Sequence, residues 1–161
     1  LENFKVIQAY LFQLLVPVLF LANGGVLLDS ISAYVNHAPV AFGASFMAIV
    51  LLFLQDGYIV RERRHNIILA ISLFGVMVLN HKVYPGAHYA FAIFFYVASN
   101  VFMIWKSSKD QRWWKILIAV GVGIAGVMCF VFNLFSILVF EWIGTIPMSV
   151  HFAGETKGKI D

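Results

Sequence analysis

Residues 85–105 read PGAHYAFAIFFYVASNVFMIW, residues 106–112 read KSSKDQR, and residues 113–131 read WWKILIAVGVGIAGVMCFV. Two long apolar runs therefore flank one short basic loop. At 1.5 Å rise per residue, about 20 apolar residues cross a hydrocarbon core of ~30 Å, so each run is long enough to span. Neither shows a period-2 alternation with turn signals, which argues against a β-barrel. Hydrocarbon offers the backbone no other partners, so such runs must be helices.

Working outward, comparable runs cover about residues 6–28, 39–60, 66–79 and 134–153, the third of them short. The sequence predicts an all-α polytopic transmembrane bundle of six helices, at about 6–28, 39–60, 66–79, 85–105, 113–131 and 134–153. One domain covers residues 1–153, and GETKGKID at 154–161 is a polar C-terminal tail. Composition agrees. Of 161 residues, 61% are hydrophobic and 12% charged, and mean hydropathy is +0.88. Soluble domains sit near 45–50% apolar and about 25% charged. This composition argues against a disordered tail, and because Cys129 is the lone cysteine a disulfide scaffold and a cysteine-ligated zinc module are excluded.

The basic residues set an orientation. Lys5 precedes the first helix, and Arg61, Arg63 and Arg64 separate the second from the third. Lys106, Lys109, Arg112 and Lys115 separate the fourth from the fifth, and Lys157 and Lys159 follow the sixth. With six spans, all of these fall on one side and only Lys82 on the other. The positive-inside rule then makes both termini cytoplasmic, and the net charge of +3 reflects orientation rather than nucleic-acid binding. Trp105, Trp113 and Trp114 are placed at the inner interface, and Tyr34 and Tyr84 at the outer one. The chain is read as a multi-pass integral membrane protein.

Polar residues within apolar runs mark candidate sites. Glu141 lies about seven residues into the sixth helix from its outer end, roughly 10 Å deep. A bare carboxylate there costs about 2.5–3.5 kcal/mol on insertion scales, so it should face the bundle interior and hydrogen-bond a neighbour, with Asn23 or His88 the candidates by depth. Trp142 beside it turns about 100° away. Asn23, His88, Glu141 and Trp142 form the candidate ligand-binding set, and Glu141 and Asp29 are the candidate catalytic acids. His37, His81 and His88 share the outer level and could together ligate zinc, leaving a fourth position for water. No HExxH motif is present. Asp56 reads as a local ion pair near Arg61. No lysine is expected to be buried, which argues against a retinal Schiff base. Small residues on the fifth helix (Ala119/Gly123 and Gly121/Ala125) allow close helix approach, within the bundle or as a homo-oligomer seam. Pro17 and Pro147 predict kinks.

The outer loop SISAYVNHAPVAFGASF (residues 30–46), the histidine opening the fourth helix and the Glu-Trp pair in the last resemble the damage-regulated autophagy modulator family and its GPI-anchor-remodelling relatives. The matching positions are Ile31, Ser32, Pro39, Phe42, Gly43, His88, Glu141 and Trp142. The family's Thr-Gly and Pro-Pro-Glu elements are missing here, and the third helix is shorter. The resemblance implies six helices, cytoplasmic termini and a lipid-handling or membrane-organising role, with no catalytic residues to carry over. Three function classes follow. The first is a non-enzymatic bundle whose partners are membrane lipids. The second is a metal-dependent lipid hydrolase with an outer His/acid site. The third is a small proton-coupled transporter or channel using Glu141.

Overall fold

The computed structural model describes residues 2–156, which form six α-helices and two short 3-10 helices, with no strand among them. The α-helices are α1 (Glu2–Ala22), α2 (Pro39–Ile59), α3 (His65–Val78), α4 (Pro85–Trp105), α5 (Lys109–Phe130) and α6 (Ile137–Thr156). Five of them are long and apolar enough to cross a membrane; α3, with 14 residues, is the shorter apolar one.

Local chemistry sets the ends. α1 stops at Ala22, well short of residue 28, because Gly24 and Gly25 adopt φ of +66° and +81°. Gly25 N–H donates to the Phe20 carbonyl (2.9 Å) and Gly24 N–H to that of Leu21 (3.1 Å). This pair of bonds is a Schellman cap, which favours glycine at the left-handed position. Pro39 and Pro85 open α2 and α4, where a missing N–H costs nothing. α6 starts three residues later than expected, at Ile137, because Ser136 caps it: its Oγ accepts from Val139 N–H at 3.4 Å. The last helix also runs into the segment read as a polar tail, reaching Thr156. Both α1 and α6 continue through their internal prolines, Pro17 and Pro147.

Neighbouring contacts close a ring in the order α1–α2–α3–α4–α5–α6, and α4 also touches α6 across it. Close approach is achieved at three glycines. A Cβ on Gly57 would stand 2.8 Å from Ile67, on Gly75 2.6 Å from the Phe91 ring, and on Gly144 2.8 Å from Tyr96. These seams join α2 to α3, α3 to α4 and α4 to α6. Within the chain the small residues of α5 form no such seam at Gly121 or Gly123, where a Cβ would meet nothing within 4 Å. Only 11% of the α5 span is buried, against 28–39% in the other four long helices. α5 therefore leans on a tight five-helix unit.

At the centre of that unit Phe53, fully buried, packs its ring against Phe12 (5.9 Å between centroids), Phe95 (6.1 Å) and Phe152 (5.7 Å). One aromatic cluster thus ties α1, α2, α4 and α6. A polar seam adds to it, with Gln13 Nε2 donating to Ser149 Oγ at 2.8 Å across α1 and α6. Large apolar side chains stay exposed on every helix, among them Leu21, Val40, Ile71, Val97, Ile124 and Ile146. Such an all-round apolar surface suits lipid.

The helix ends sort the charges. Arg61, Arg63 and Arg64 join α2 to α3, and Lys106 and Lys109 lie where α4 turns into α5. Lys82 is in the α3–α4 loop at the opposite end, while Lys157 and Lys159 lie outside the described residues. Two expectations are corrected here. Lys5 and Lys115 are buried, at 3% and 4% exposure, and Tyr34 is not an interface anchor but fully buried. Its hydroxyl donates to the Val26 carbonyl (3.3 Å) and accepts from Leu28 N–H (3.4 Å), bracing the loop after α1. Trp105, Trp113 and Trp114 are each more than 60% exposed, as interfacial anchors are.

Candidate functional site

Glu141 is the fifth residue of α6 and lies about 6 Å along the helix axis from its start, shallower than the sequence suggested. Its Oε2 accepts a hydrogen bond from Ile31 N–H at 2.6 Å. The partner is thus a backbone amide, and neither Asn23 nor His88 takes this role. Asn23 Nδ2 donates locally to the Val26 carbonyl at 2.9 Å, because the Gly24-Gly25 turn folds the chain back on it.

Ile31 opens a 3-10 helix (Ile31–Asn36) capped by Ser30, whose Oγ accepts from Ala33 N–H at 3.2 Å. Ile31 N–H therefore needs another acceptor, and Glu141 supplies it. A second tie runs the other way, with Leu138 N–H of α6 donating to the Asp29 carbonyl at 2.7 Å. Leu138 and Glu141 are three residues apart and share a helix face. The loop carrying Asp29 to Ser32 is thereby stitched to one side of α6. Asp29 contributes its backbone here; its side chain is exposed. The fold brings Ile31, Ser32 and Glu141 together from residues about 110 positions apart. Tyr96 of α4 closes the arrangement by donating from its hydroxyl to the Glu141 carbonyl at 3.0 Å.

Two voids meet at this point. The first is a central, mainly apolar cavity of about 40 Å³, to whose lining Ser32, Tyr96, Glu141 and Thr145 contribute the polar side chains. The second is a groove of about 810 Å³ between α4, α5 and α6, within the usual range of ligand pockets. It runs along α4 from His88 to Ile104, about 24 Å of helix. Its α5 wall includes Ala119, Gly123 and Gly126, whose small side chains leave the space open. Ala92, Tyr96 and Glu141 belong to both linings and so form the partition between the voids.

His88, buried to 2% exposure, stands at one end of the groove. Its Nδ1 lies 2.7 Å from the Leu79 carbonyl. A carbonyl only accepts, so Nδ1 carries the proton and Nε2 is left as an acceptor in the neutral ring. His81 lies beside it, with ring centroids 5.8 Å apart. Burial, then the neighbouring His88 and Lys82, hold the His81 pKa below its ordinary value. His37 instead ends the 3-10 helix, its backbone N–H donating to the Tyr34 carbonyl at 3.1 Å, and its side chain is exposed. Among the described residues no group of three or more His, Cys, Asp or Glu side chains could hold a metal ion. The expected zinc set of His37, His81 and His88 is corrected to a histidine pair. Trp142 is 39% exposed and turned outward.

Asp56 sits at the opposite end of the bundle, 7% exposed. It accepts from Arg63 Nη1 at 3.1 Å and from Asn66 Nδ2 at 2.6 Å. Asn66 is itself buried, so this is a knot between α2 and α3 rather than a surface pair with Arg61. No curated protein and no solved structure matches the chain. Residues 14–156, nearly the whole of it, match the family described as "Family of unknown function (DUF7103)"; the bundle, with Glu141 between its two voids, belongs to that family.

Proposed function

We propose that the protein is a six-span membrane protein, with its arginine-rich end in the cytoplasm, that handles lipid by taking an acyl chain into the groove between α4, α5 and α6. The observation that carries the reading is the groove itself. It is long, apolar and walled on one side by a helix that hardly packs against the rest of the bundle. In a bilayer, acyl chains are the solvent of such a space, and a 24 Å wall matches most of one leaflet-to-leaflet ~30 Å core. The resemblance to the damage-regulated autophagy modulator family points the same way.

The six-span topology is supported by α3 running between the α2 and α4 ends while packing on both. Its 14 residues cover about 21 Å, short for a full core, and a locally thinned bilayer would accommodate it. Single cysteines at the exposed positions Lys82 and Lys109, in a Cys129→Ala background, should label from opposite sides of a sealed vesicle. Labelling of both from one side would overturn the topology. For the groove, Gly123→Phe places a ring where a Cβ meets nothing within 4 Å. It should fold normally and lose labelling by a photoactivatable acyl chain; unchanged labelling would refute the assignment.

A second reading, a proton-coupled carrier, rests on Glu141 lining both the inner cavity and the groove. It requires a proton flux in proteoliposomes that Glu141→Gln abolishes.

A further inference from the structure

The groove wall is mostly apolar; Asn100, further along α4, turns its amide to the Tyr96 carbonyl, and the polar atoms where α6 and the start of α4 meet the groove point to one kind of ligand. Glu141 Oε2 is engaged by Ile31 N–H, and among the described residues its Oε1 forms no hydrogen bond. His88 spends its Nδ1 proton on the Leu79 carbonyl and leaves Nε2 as an acceptor. Both residues line the groove. A polar atom held in an apolar setting without a partner is costly, so an occupant that donates hydrogen bonds would be selected over one that only accepts.

Charge narrows the class. A phosphate placed at this level would lie against a carboxylate, and Lys82 is the only lysine or arginine at this end of the bundle among the described residues. No basic cradle compensates. An ester carbonyl supplies no donor. A hydroxyl supplies one donor and also accepts, so it pairs with a carboxylate and equally with a neutral carboxyl.

We infer that the groove selects a neutral lipid with two free hydroxyls at the head of its chain, one donating to Glu141 Oε1 and the other to His88 Nε2, with the chain lying along α4 towards Ile104. This rests on the groove being the acyl-chain site proposed above. The partition formed by Ala92, Tyr96 and Glu141 then separates the bound head group from the inner cavity.

The test uses the full chain in phosphatidylcholine nanodiscs with two diazirine probes of equal chain length. One is a monoacylglycerol and the other is its diacetyl ester, which has no donor. Wild-type protein should prefer the monoacylglycerol by at least about tenfold, because the diacetyl ester loses both donors. Glu141→Met should lower that preference severalfold, and Glu141→Met with His88→Leu should bring it near one, both variants still labelling with the diacetyl ester. Gly123→Phe should lose both probes. A wild-type protein that labels equally with the two probes overturns the hydroxyl inference without any variant having to fold. A preference that Glu141→Met leaves undiminished also overturns it. If Gly123→Phe keeps both probes, the groove reading itself fails.

Discussion

The bond between Glu141 and Ile31 N–H can be weighed by a double-mutant cycle in which each partner is removed alone and together. Glu141→Ala removes the acceptor. Ile31→Pro removes the donor, and the backbone tolerates it: Ser30 before it is extended (φ −151°, ψ 159°), as a residue before proline must be. Ile31 is also the first residue of its 3-10 helix, a position proline favours. At 2.6 Å the bond is short, and a hydrogen bond accepted by a buried carboxyl contributes roughly 1–3 kcal/mol. Ser30 Oγ already serves Ala33, so nothing nearby can replace Glu141 as acceptor. The second tie, Leu138 N–H to the Asp29 carbonyl, persists in both variants and keeps the loop in place. Ile31→Pro additionally loses a buried side chain, a cost of about 1–2 kcal/mol that cancels in the cycle. Equilibrium unfolding in mixed micelles should therefore give a coupling of roughly 1–3 kcal/mol, and Glu141→Gln should retain part of it through its amide oxygen. Effects that add to within about 0.5 kcal/mol would show that the bond does not contribute.

At the opposite end of the bundle, Asp56→Ala should destabilise by about 3 kcal/mol, because it strands buried Asn66, whereas Arg63→Ala, with its side chain 31% exposed, should cost no more than about 1 kcal/mol in the same unfolding assay. Gly75→Ala should cost about 1–3 kcal/mol through overpacking against the Phe91 ring and be partly rescued by Phe91→Leu, while Gly121→Ala should be neutral or stabilising. His81, whose pKa is lowered in the folded protein, binds fewer protons folded than unfolded. Stability should therefore be complete above about pH 6.5 and fall as pH drops below it, and His81→Gln should flatten that acid limb in thermal melts between pH 8 and 5.

Helix number and type were legible because apolar length is a property of the local sequence, and α4 begins and ends where its hydropathy does. The end of α1 was misjudged for a physical reason: residues 23–28 are apolar enough to continue the run, but Gly24-Gly25 favours the left-handed cap over two more helical turns. The importance of Glu141 was also readable, since an acid in an apolar run needs an explanation. Its partner was not, because side-chain candidates were ranked by depth while the acceptor went to a backbone amide exposed by a 3-10 helix that hydropathy does not reveal. Gln13 and Asn66 were visible as polar residues in or beside apolar runs, yet their roles depend on which helices become neighbours. Which glycines pack closely within the bundle depends on helix neighbours in the same way. Small-residue spacing on α5 looks like a seam, but Gly57, Gly75 and Gly144 are the ones that meet a facing side chain.

The contrast between α5 and the other helices gives the groove its character. Glu141, His88 and Tyr96 stand on α4 and α6, which belong to the unit fixed by the phenylalanine cluster, the α1–α6 polar seam and the glycine contacts at Gly75 and Gly144. Their polar atoms are held by the Ile31 amide, the Leu79 carbonyl and the Glu141 carbonyl, so the recognising groups are preorganised. The facing wall on α5 alternates Ala119, Gly123 and Gly126 with Val122, Val127 and Phe130, and only 11% of the α5 span is buried, so it interlocks little with its neighbours. Helix association in lipid depends on such interlocking and on interhelical hydrogen bonds, so α5 can shift against α4 at small cost while the polar end stays fixed. On the lipid reading, the head of the ligand is selected by rigid groups and its chain is admitted by a compliant wall. That division lets one groove accept chains of different length without relaxing its choice of head group.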